Sequence, residues 1–167
     1  FEKINLKNVA RAVISDLSVL ILESEATIIL SSLPTISVDE SQLRQLFQNL
    51  IGNAVKFSKS DVLPEIKIYS EKISNDDESS KGIRNEDCVK IIIEDNGIGI
   101  DMEYSEKIFG VFERLHGRSE YKGTGIGLSI VKKIVERHNG KIILKSELDV
   151  GTKFEIYLPK ENKVSIT

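Results

Sequence analysis

The 167-residue chain has a single cysteine, Cys88, which excludes an internal disulfide. Cys88 lies beside Val89 in a strand-like run and reads as an inert buried thiol. Long apolar runs are missing too. Stretches such as Val19-Leu20-Ile21-Leu22 fall far short of the roughly 20 residues that cross a bilayer. No secretory signal is visible at Phe1, and a start without Met is expected of a piece cut from something longer. Neither sign of charge dominates. With 23 basic and 26 acidic residues the net charge is −3, so there is no broad electrostatic case for nucleic acid or an anionic membrane. Any phosphate binding must be local, and a cytoplasmic setting fits. The Gly-x-x-x-x-Gly-Lys-Ser/Thr phosphate loop is absent, and no glycine cluster opens a βαβ unit, which excludes two common nucleotide folds.

What is present suits one ordinary domain over 1–167, with 40% hydrophobic and 29% charged residues and no internal repeat. Val9, Val13, Leu17, Leu20 and Ile21 keep a helical period across Leu6–Leu22. Ala26–Leu30 reads as a strand, and Pro34 then breaks the chain. Asp39 opens the clearest helix as an N-cap, with Gln42 completing a capping-box pattern. Leu43, Leu46, Phe47, Leu50, Ile51, Ala54 and Val55 form its apolar face. Strands are expected over Glu65–Ile73, Val89–Ile93, Lys141–Glu147 and Thr152–Leu158, the last two joined by a turn at Asp149–Gly151. Ser74–Asp87 is polar and reads as a solvated, mobile hairpin insertion. Met102–Gly123 lacks a clean period and reads as a short helix and a long functional loop. Ile126–His138 is amphipathic and stops at Asn139-Gly140. Helices and strands in this order suggest an α+β two-layer sandwich.

Two glycine clusters carry the chemistry. Gly123-Thr124-Gly125-Ile126-Gly127-Leu128 runs into a helix, whose first N–H groups and positive dipole end favour a phosphate. Asp95-Asn96-Gly97-Ile98-Gly99 follows a buried strand. A carboxylate there can accept a hydrogen bond from an exocyclic amine, although an Asx turn is the plain alternative. On the Asp39 helix, Asn49, Asn53 and Lys56 fall along one border of the apolar face. They suit either a solvated flank or a pocket wall, in which Asn offers Mg²⁺ a neutral oxygen and Lys offers a phosphate a point charge. Phe57 suits either plain core or an aromatic wall for a base.

These residues resemble the ATP-binding domain of the sensor histidine kinases. Asn49–Phe57 looks like the N box, Asp95–Ile100 the G1 box, Phe109–Leu115 the F box, Gly123–Leu128 the G2 box and Gly151–Phe154 the last glycine motif. Their order and spacing agree from about Leu6 to Pro159. Arg114–Gly123 is most similar to kinases that carry PAS, GAF or phytochrome-type sensors.

The resemblance implies the GHKL (Bergerat) fold, a mixed sheet covered on one face by three main helices, with a mobile ATP lid over 100–122. Residues 1–6 would end a linker from a missing dimerisation and phosphoacceptor domain. Asn53 would ligate the Mg²⁺ that bridges the phosphates, Asn49 would support it, and Lys56 would contact phosphate. Phe57 would lie against adenine. Asp95 would read the adenine amino group, with Thr152 assisting through water, and Gly97, Gly99 and Ile100 would also bind the nucleotide, the two glycines by allowing its close approach. Backbone N–H groups of Gly123, Thr124, Gly125, Ile126, Gly127 and Leu128 would hold the phosphates. Arg114 would steady transferred charge, while His116, Arg118 and Lys122 read as solvated lid residues. His138 reads as a partner of a helix C-terminal dipole. His116 and His138 are the only histidines, and neither fits the family's phosphoacceptor. No catalytic side chain is therefore assigned within this chain.

The implied activity is transfer of the ATP γ-phosphoryl to a His on the dimerisation domain of a homodimeric kinase, for relay to an Asp of a response regulator. Related ATPases of the gyrase, MutL and chaperone types carry a water-activating Glu where this chain has Asn49. An amide cannot act as a general base, which disfavours hydrolysis. The alternatives are a non-catalytic ATP-sensing module and a hydrolytic ATPase of the same superfamily.

Overall fold

The computed structural model describes residues 1–74, 76–104, 107–109 and 127–161. Five strands form a mixed sheet in the order β2-β4-β5-β7-β6: Thr27–Leu30 (β2), Glu65–Glu71 (β4), Cys88–Asp95 (β5), Lys141–Glu147 (β6) and Gly151–Pro159 (β7). β2 and β4 are parallel, and every other pairing is antiparallel. Three helices cover one face. Leu6–Asp16 (α1) lies over β2, Glu40–Lys56 (α3) over β4 and β5, and Gly127–Arg137 (α4) over β6.

Side-chain alternation explains this packing. Ile66 and Ile68, Ile91 and Ile93, Phe154 and Ile156, and Leu144 all point to the helices. They meet Leu43, Leu46, Phe47, Leu50 and Ile51 of α3, Leu6, Val9 and Val13 of α1, and Val131, Ile134 and Val135 of α4 in one core. At roughly 25 cal/mol per Å² of apolar surface removed from water, this contact is the main force holding the layers together.

The helix expected over Leu6–Leu22 is divided. α1 ends at Asp16 and a short helix, Ser18–Ser24 (α2), follows with no buried residue. The apolar period runs on through the break because Leu17 N–H still bonds Val13 O and Ile21 N–H still bonds Leu17 O. Residues 1–6 are more than a linker end. Glu2–Asn5 (β1) pairs antiparallel with Thr35–Val38 (β3), a strand not anticipated after Pro34. The Thr-Ile-Ser-Val alternation of β3 does place Ile36 and Val38 inward.

The capping box at Asp39 is half formed. Asp39 Oδ1 accepts from Gln42 N–H at 3.1 Å, as expected of an N-cap. The reciprocal acceptor for Asp39 N–H is not Gln42 but His138 Nε2, at 3.1 Å. Gln42 Oε1 is left buried without a partner among the described residues. His138 is likewise not the charged dipole partner expected. It is buried, its Nδ1–H donates to Ile134 O at 2.8 Å, and its Nε2 must be unprotonated to accept from Asp39. Desolvation pushes its pKa down, so a neutral imidazole ties the end of α4 to the start of α3.

The outer face of the sheet carries a second, smaller buried zone. Ile92 and Tyr157 are buried there, together with Lys90 and Glu155. The 74–87 insertion, expected to be solvated, is anchored beside them. Lys145 Nζ donates to Asp77 Oδ2 and Lys141 Nζ to Ser79 O, each at 3.0 Å. Ser80 and neighbouring Ile73 are buried, and Asn85 bonds both backbone groups of Ile73. The segment looks like a solvated loop in sequence because its anchors are small polar groups, not an apolar face.

Candidate functional site

At one end of the sheet a polar row replaces the isoleucine rows. Register sets Asp95 of β5 opposite Thr152 of β7, and Thr152 opposite Ser146 of β6. All three continue the helix-facing alternation, one step beyond Ile93, Phe154 and Leu144. Asp95 Oδ1 accepts from Gly97 N–H at 2.8 Å, the Asx turn anticipated as the plain alternative. The carboxylate also accepts from Thr152 N–H. Desolvation outweighs these bonds and pushes the Asp95 pKa up to about 6, with nearby Glu94 adding to the rise. No cation pairs with it among the described residues.

Backbone contacts seat the Asp95–Ile100 loop. Ile98 N–H donates to Phe57 O at 3.0 Å, joining the loop to the end of α3. Asp149 N–H donates to Ile98 O at 2.8 Å, joining it to the β6–β7 turn. Gly99 and Gly151 are required by this packing. Gly99 has φ +75°, and an added Cβ would lie 2.1 Å from Glu147 O. A Cβ at Gly151, with φ +150°, would lie 2.0 Å from Asp95 O. A side chain at Gly99 would push the loop off the end of β6, and one at Gly151 would push β7 off the end of β5. Asn96 clamps the other flank, accepting from Glu65 N–H at 2.8 Å and donating to Leu63 O at 3.1 Å.

The candidate residues on α3 lie along the flank expected. Asn49 and Asn53 are half-buried, Lys56 is exposed, and Phe57 is half-buried as the C-cap. Asn49 Nδ2 donates to Gln45 O, and its Oδ1 lies where a Cβ on Gly127 would be 3.2 Å away. Asn49 therefore adjoins the first turn of α4. The side chains of Asn53 and Lys56 make no hydrogen bond or ion pair among the described residues. Leu128 and Ile100 pack against the core. Arg114, Gly123, Thr124, Gly125, Ile126 and most of the 100–122 lid lie outside the described residues. Of that lid, Met102–Tyr104 and Lys107–Phe109 form 3₁₀ turns.

Sequence reasoning missed Ser146. Its Oγ accepts from Ile100 N–H at 2.7 Å, donates to Gly151 O at 2.8 Å and lies 2.8 Å from Thr152 Oγ1. The signal was available, because a three-residue turn over 148–150 pairs Glu147 with Gly151 and hence Ser146 with Thr152. A cavity of about 470 Å³ opens at this end of the sheet, with Asp95, Ser146 and Thr152 among its lining. Its other walls include outward-facing Lys67, Glu94 and Lys153, so it opens at the strand ends and not beneath the helices.

Residues 38–162 match the family of histidine kinase-, DNA gyrase B- and HSP90-like ATPases. The chain belongs to this family. Within it, the phytochrome-like protein Cph1 of Synechocystis sp. is 42% identical over 158 residues, 95% of this chain and 19% of that protein. The sensor protein RprX of Bacteroides fragilis is 38% identical over 130 residues, 75% of this chain and 22% of that protein. The chain thus spans about a fifth of the length of these relatives. Among solved structures, the catalytic domain of the histidine kinase ThkA superposes with a TM-score of 0.73 at 27% identity. That match covers 96% of this chain and 97% of the ThkA domain. This ATPase-family chain is a histidine kinase catalytic domain in fold, an α+β sandwich with a mixed sheet. No helix among its described residues is long and apolar enough to cross a membrane.

Proposed function

We propose that this domain binds ATP for a sensor histidine kinase and delivers the γ-phosphoryl to a histidine on a separate dimerisation domain of the same kinase. The observation that carries the reading is Asp95, a carboxylate held by backbone N–H groups with no cation among the described residues, at the end of the core. Such a group is costly to leave alone and is satisfied by a ligand that brings hydrogens. The exocyclic amine of adenine does so. Phe57, whose carbonyl holds the same loop, walls the base. Gly97, Gly99 and Ile100 keep Asp95 in place, and Thr152 assists it.

Phosphates fall to the α4 N-terminus, at Gly127 and Leu128 and the preceding glycine segment 123–126, with Lys56 as a point charge. Asn53, with support from Asn49, fits Mg²⁺. That ion takes few protein ligands beside substrate phosphates, and no cluster of three acidic, His or Cys side chains competes for it among the described residues. When bound, Mg²⁺ neutralises charge on the phosphate oxygens. The rest is positioning. A nitrogen of the acceptor imidazole attacks the γ-phosphorus, the bond to the β-phosphate oxygen breaks, and ADP leaves. His138 is not that acceptor, since both its ring nitrogens are used inside the fold. The phosphoryl then passes to an aspartate of a response regulator. The parent kinase acts in the cytoplasm as a homodimer.

Calorimetric titration with Mg²⁺·ATP and Mg²⁺·GTP tests the reading. ATP should bind selectively, and Asp95→Asn should abolish the selectivity. An unchanged preference in the variant would remove Asp95 from the base site.

A further inference from the structure

Ser146 has one hydrogen and three close polar neighbours. Gly151 O, at 2.8 Å, is purely an acceptor, so the Ser146 hydrogen belongs to it. Ile100 N–H, at 2.7 Å, is purely a donor. The remaining contact, 2.8 Å to Thr152 Oγ1, can then be a hydrogen bond only if Thr152 is the donor. A reversed Ser146 hydroxyl would leave two lone-pair-bearing oxygens 2.8 Å apart at Gly151 with no hydrogen between them. The Thr152 hydrogen is therefore spent on Ser146, and only lone pairs remain on Oγ1.

The same accounting holds along the row. Gly97 N–H and Thr152 N–H are spent on the Asp95 carboxylate, and Ile100 N–H on Ser146. What the row can still offer a ligand is acceptors alone: the Asp95 carboxylate and Thr152 Oγ1. We propose that Ser146 is a positioning residue that sets the direction of the Thr152 hydroxyl and so helps select an amino-bearing purine over an oxo-bearing one. It acts without touching the nucleotide. An adenine amine brings two hydrogens to these acceptors, directly or through one water. A guanine carbonyl brings a lone pair and meets no donor. The inference rests on Asp95 and Thr152 being the base-facing groups, as proposed above. It differs from that reading in naming a residue on the next strand as the source of the polarity.

With Ser146→Ala, Thr152 loses its fixed acceptor and its hydroxyl can turn to donate to a guanine carbonyl. The experiment compares dissociation constants for ATP and GTP by calorimetry in the wild type, Ser146→Ala, Ser146→Thr and Thr152→Val, with Ser146→Ala also placed in the Thr152→Val background. The ATP-over-GTP ratio should fall about three- to tenfold in Ser146→Ala, the scale of one hydrogen bond, and recover in Ser146→Thr. In the Thr152→Val background, Ser146→Ala should leave the ratio unchanged. Should the alanine variant not fold, Ser146→Cys keeps a side chain of similar shape while weakening all three bonds and should lower the same ratio. Equal weakening of ATP and GTP by Ser146→Ala would make Ser146 a structural residue only and overturn the proposal. An undiminished fall in the Thr152→Val background would overturn the route through Thr152. A wild type with no ATP preference would instead overturn the base-site reading on which the proposal stands.

Discussion

Glu155, which is buried, and Asp95, which is half-buried, lie on neighbouring strands of one sheet and have opposite fates. Glu155 on the outer face receives Lys90 Nζ at 2.9 Å and Lys145 Nζ at 2.6 Å. Burial works to raise its pKa, but the two ammonium groups prevail and hold it below the ordinary value. Lys90 is raised in turn, since the Glu155 carboxylate outweighs the desolvation that would lower it. Asp95, three residues along and on the inner side, has only backbone N–H groups among the described residues and is pushed up to about 6. A buried charge that is fully paired belongs to the architecture. One that is solvated by the backbone alone is held ready for something the chain does not itself contain.

The largest way to break this comparison is Glu155→Ala. It leaves buried Lys90 with only the exposed Glu71 carboxylate at 3.5 Å, and unfolding in urea should show a loss of up to about 3–5 kcal/mol with ATP selectivity retained. A loss under about 1 kcal/mol would mean that water reaches Lys90 and that the pair is not structural. Asp95→Asn should do the reverse. Its amide oxygen can still accept from Gly97, so stability should hold or rise, while ATP-over-GTP selectivity falls about ten- to a hundredfold.

Titration sharpens the contrast. Ionised Asp95 offers an amine only lone pairs, whereas its protonated form adds a competing O–H donor, so the ATP-over-GTP ratio should be flat above about pH 7 and fall as pH drops through about 6. The ratio cancels titration of the phosphates, which both nucleotides share, and a ratio unchanged down to pH 5 would contradict the assignment. The stability terms run in opposite directions. The raised Asp95 favours the protonated fold, so its contribution is present below its ordinary 3.8 and lost as pH rises through about 6. The lowered Glu155 contributes above its ordinary 4.5, and that contribution is lost as pH falls through its depressed value. The stability difference between Asp95→Asn and wild type should therefore change mainly between about pH 4 and 6. The exposed pair Arg44–Asp16, at 3.0 Å, sets the baseline. Arg44→Ala should cost under about 1 kcal/mol, a loss that shrinks further in high salt.

Much of the candidate site was legible because its signals are local. Asp39 with the 3-1-3-1 apolar spacing marks α3, and so places Asn49 and Asn53 on one flank. Asp95 at the end of an apolar strand, followed by glycines, marks the loop whose close packing the structure shows at Gly99 and Gly151. These patterns depend on neighbours a few residues apart, where the helical and strand periods hold whatever the rest of the chain does. Two misses are local, the break at Leu17 and the Ser146–Thr152 pairing across the 148–150 turn, and the others are non-local. Glu2–Asn5 finds its partner more than 30 residues on. His138 meets Asp39 across 99 residues, and no pattern near Gln42 warns that a histidine will displace it. Asp77 meets Lys145 across 68 residues, so a polar segment that reads as solvated is pinned down.

The sequence by itself determined the family, the α+β class, the helix and strand periods and the residue types available to a nucleotide. Tertiary structure decided what each polar group means. Asp95 and Glu155 are both carboxylates on buried strands, and only the tertiary structure places two lysines beside one and, among the described residues, none beside the other. Pairing energies inside a protein depend on distance and on exclusion of water, and neither is a property of a residue before the sheet closes.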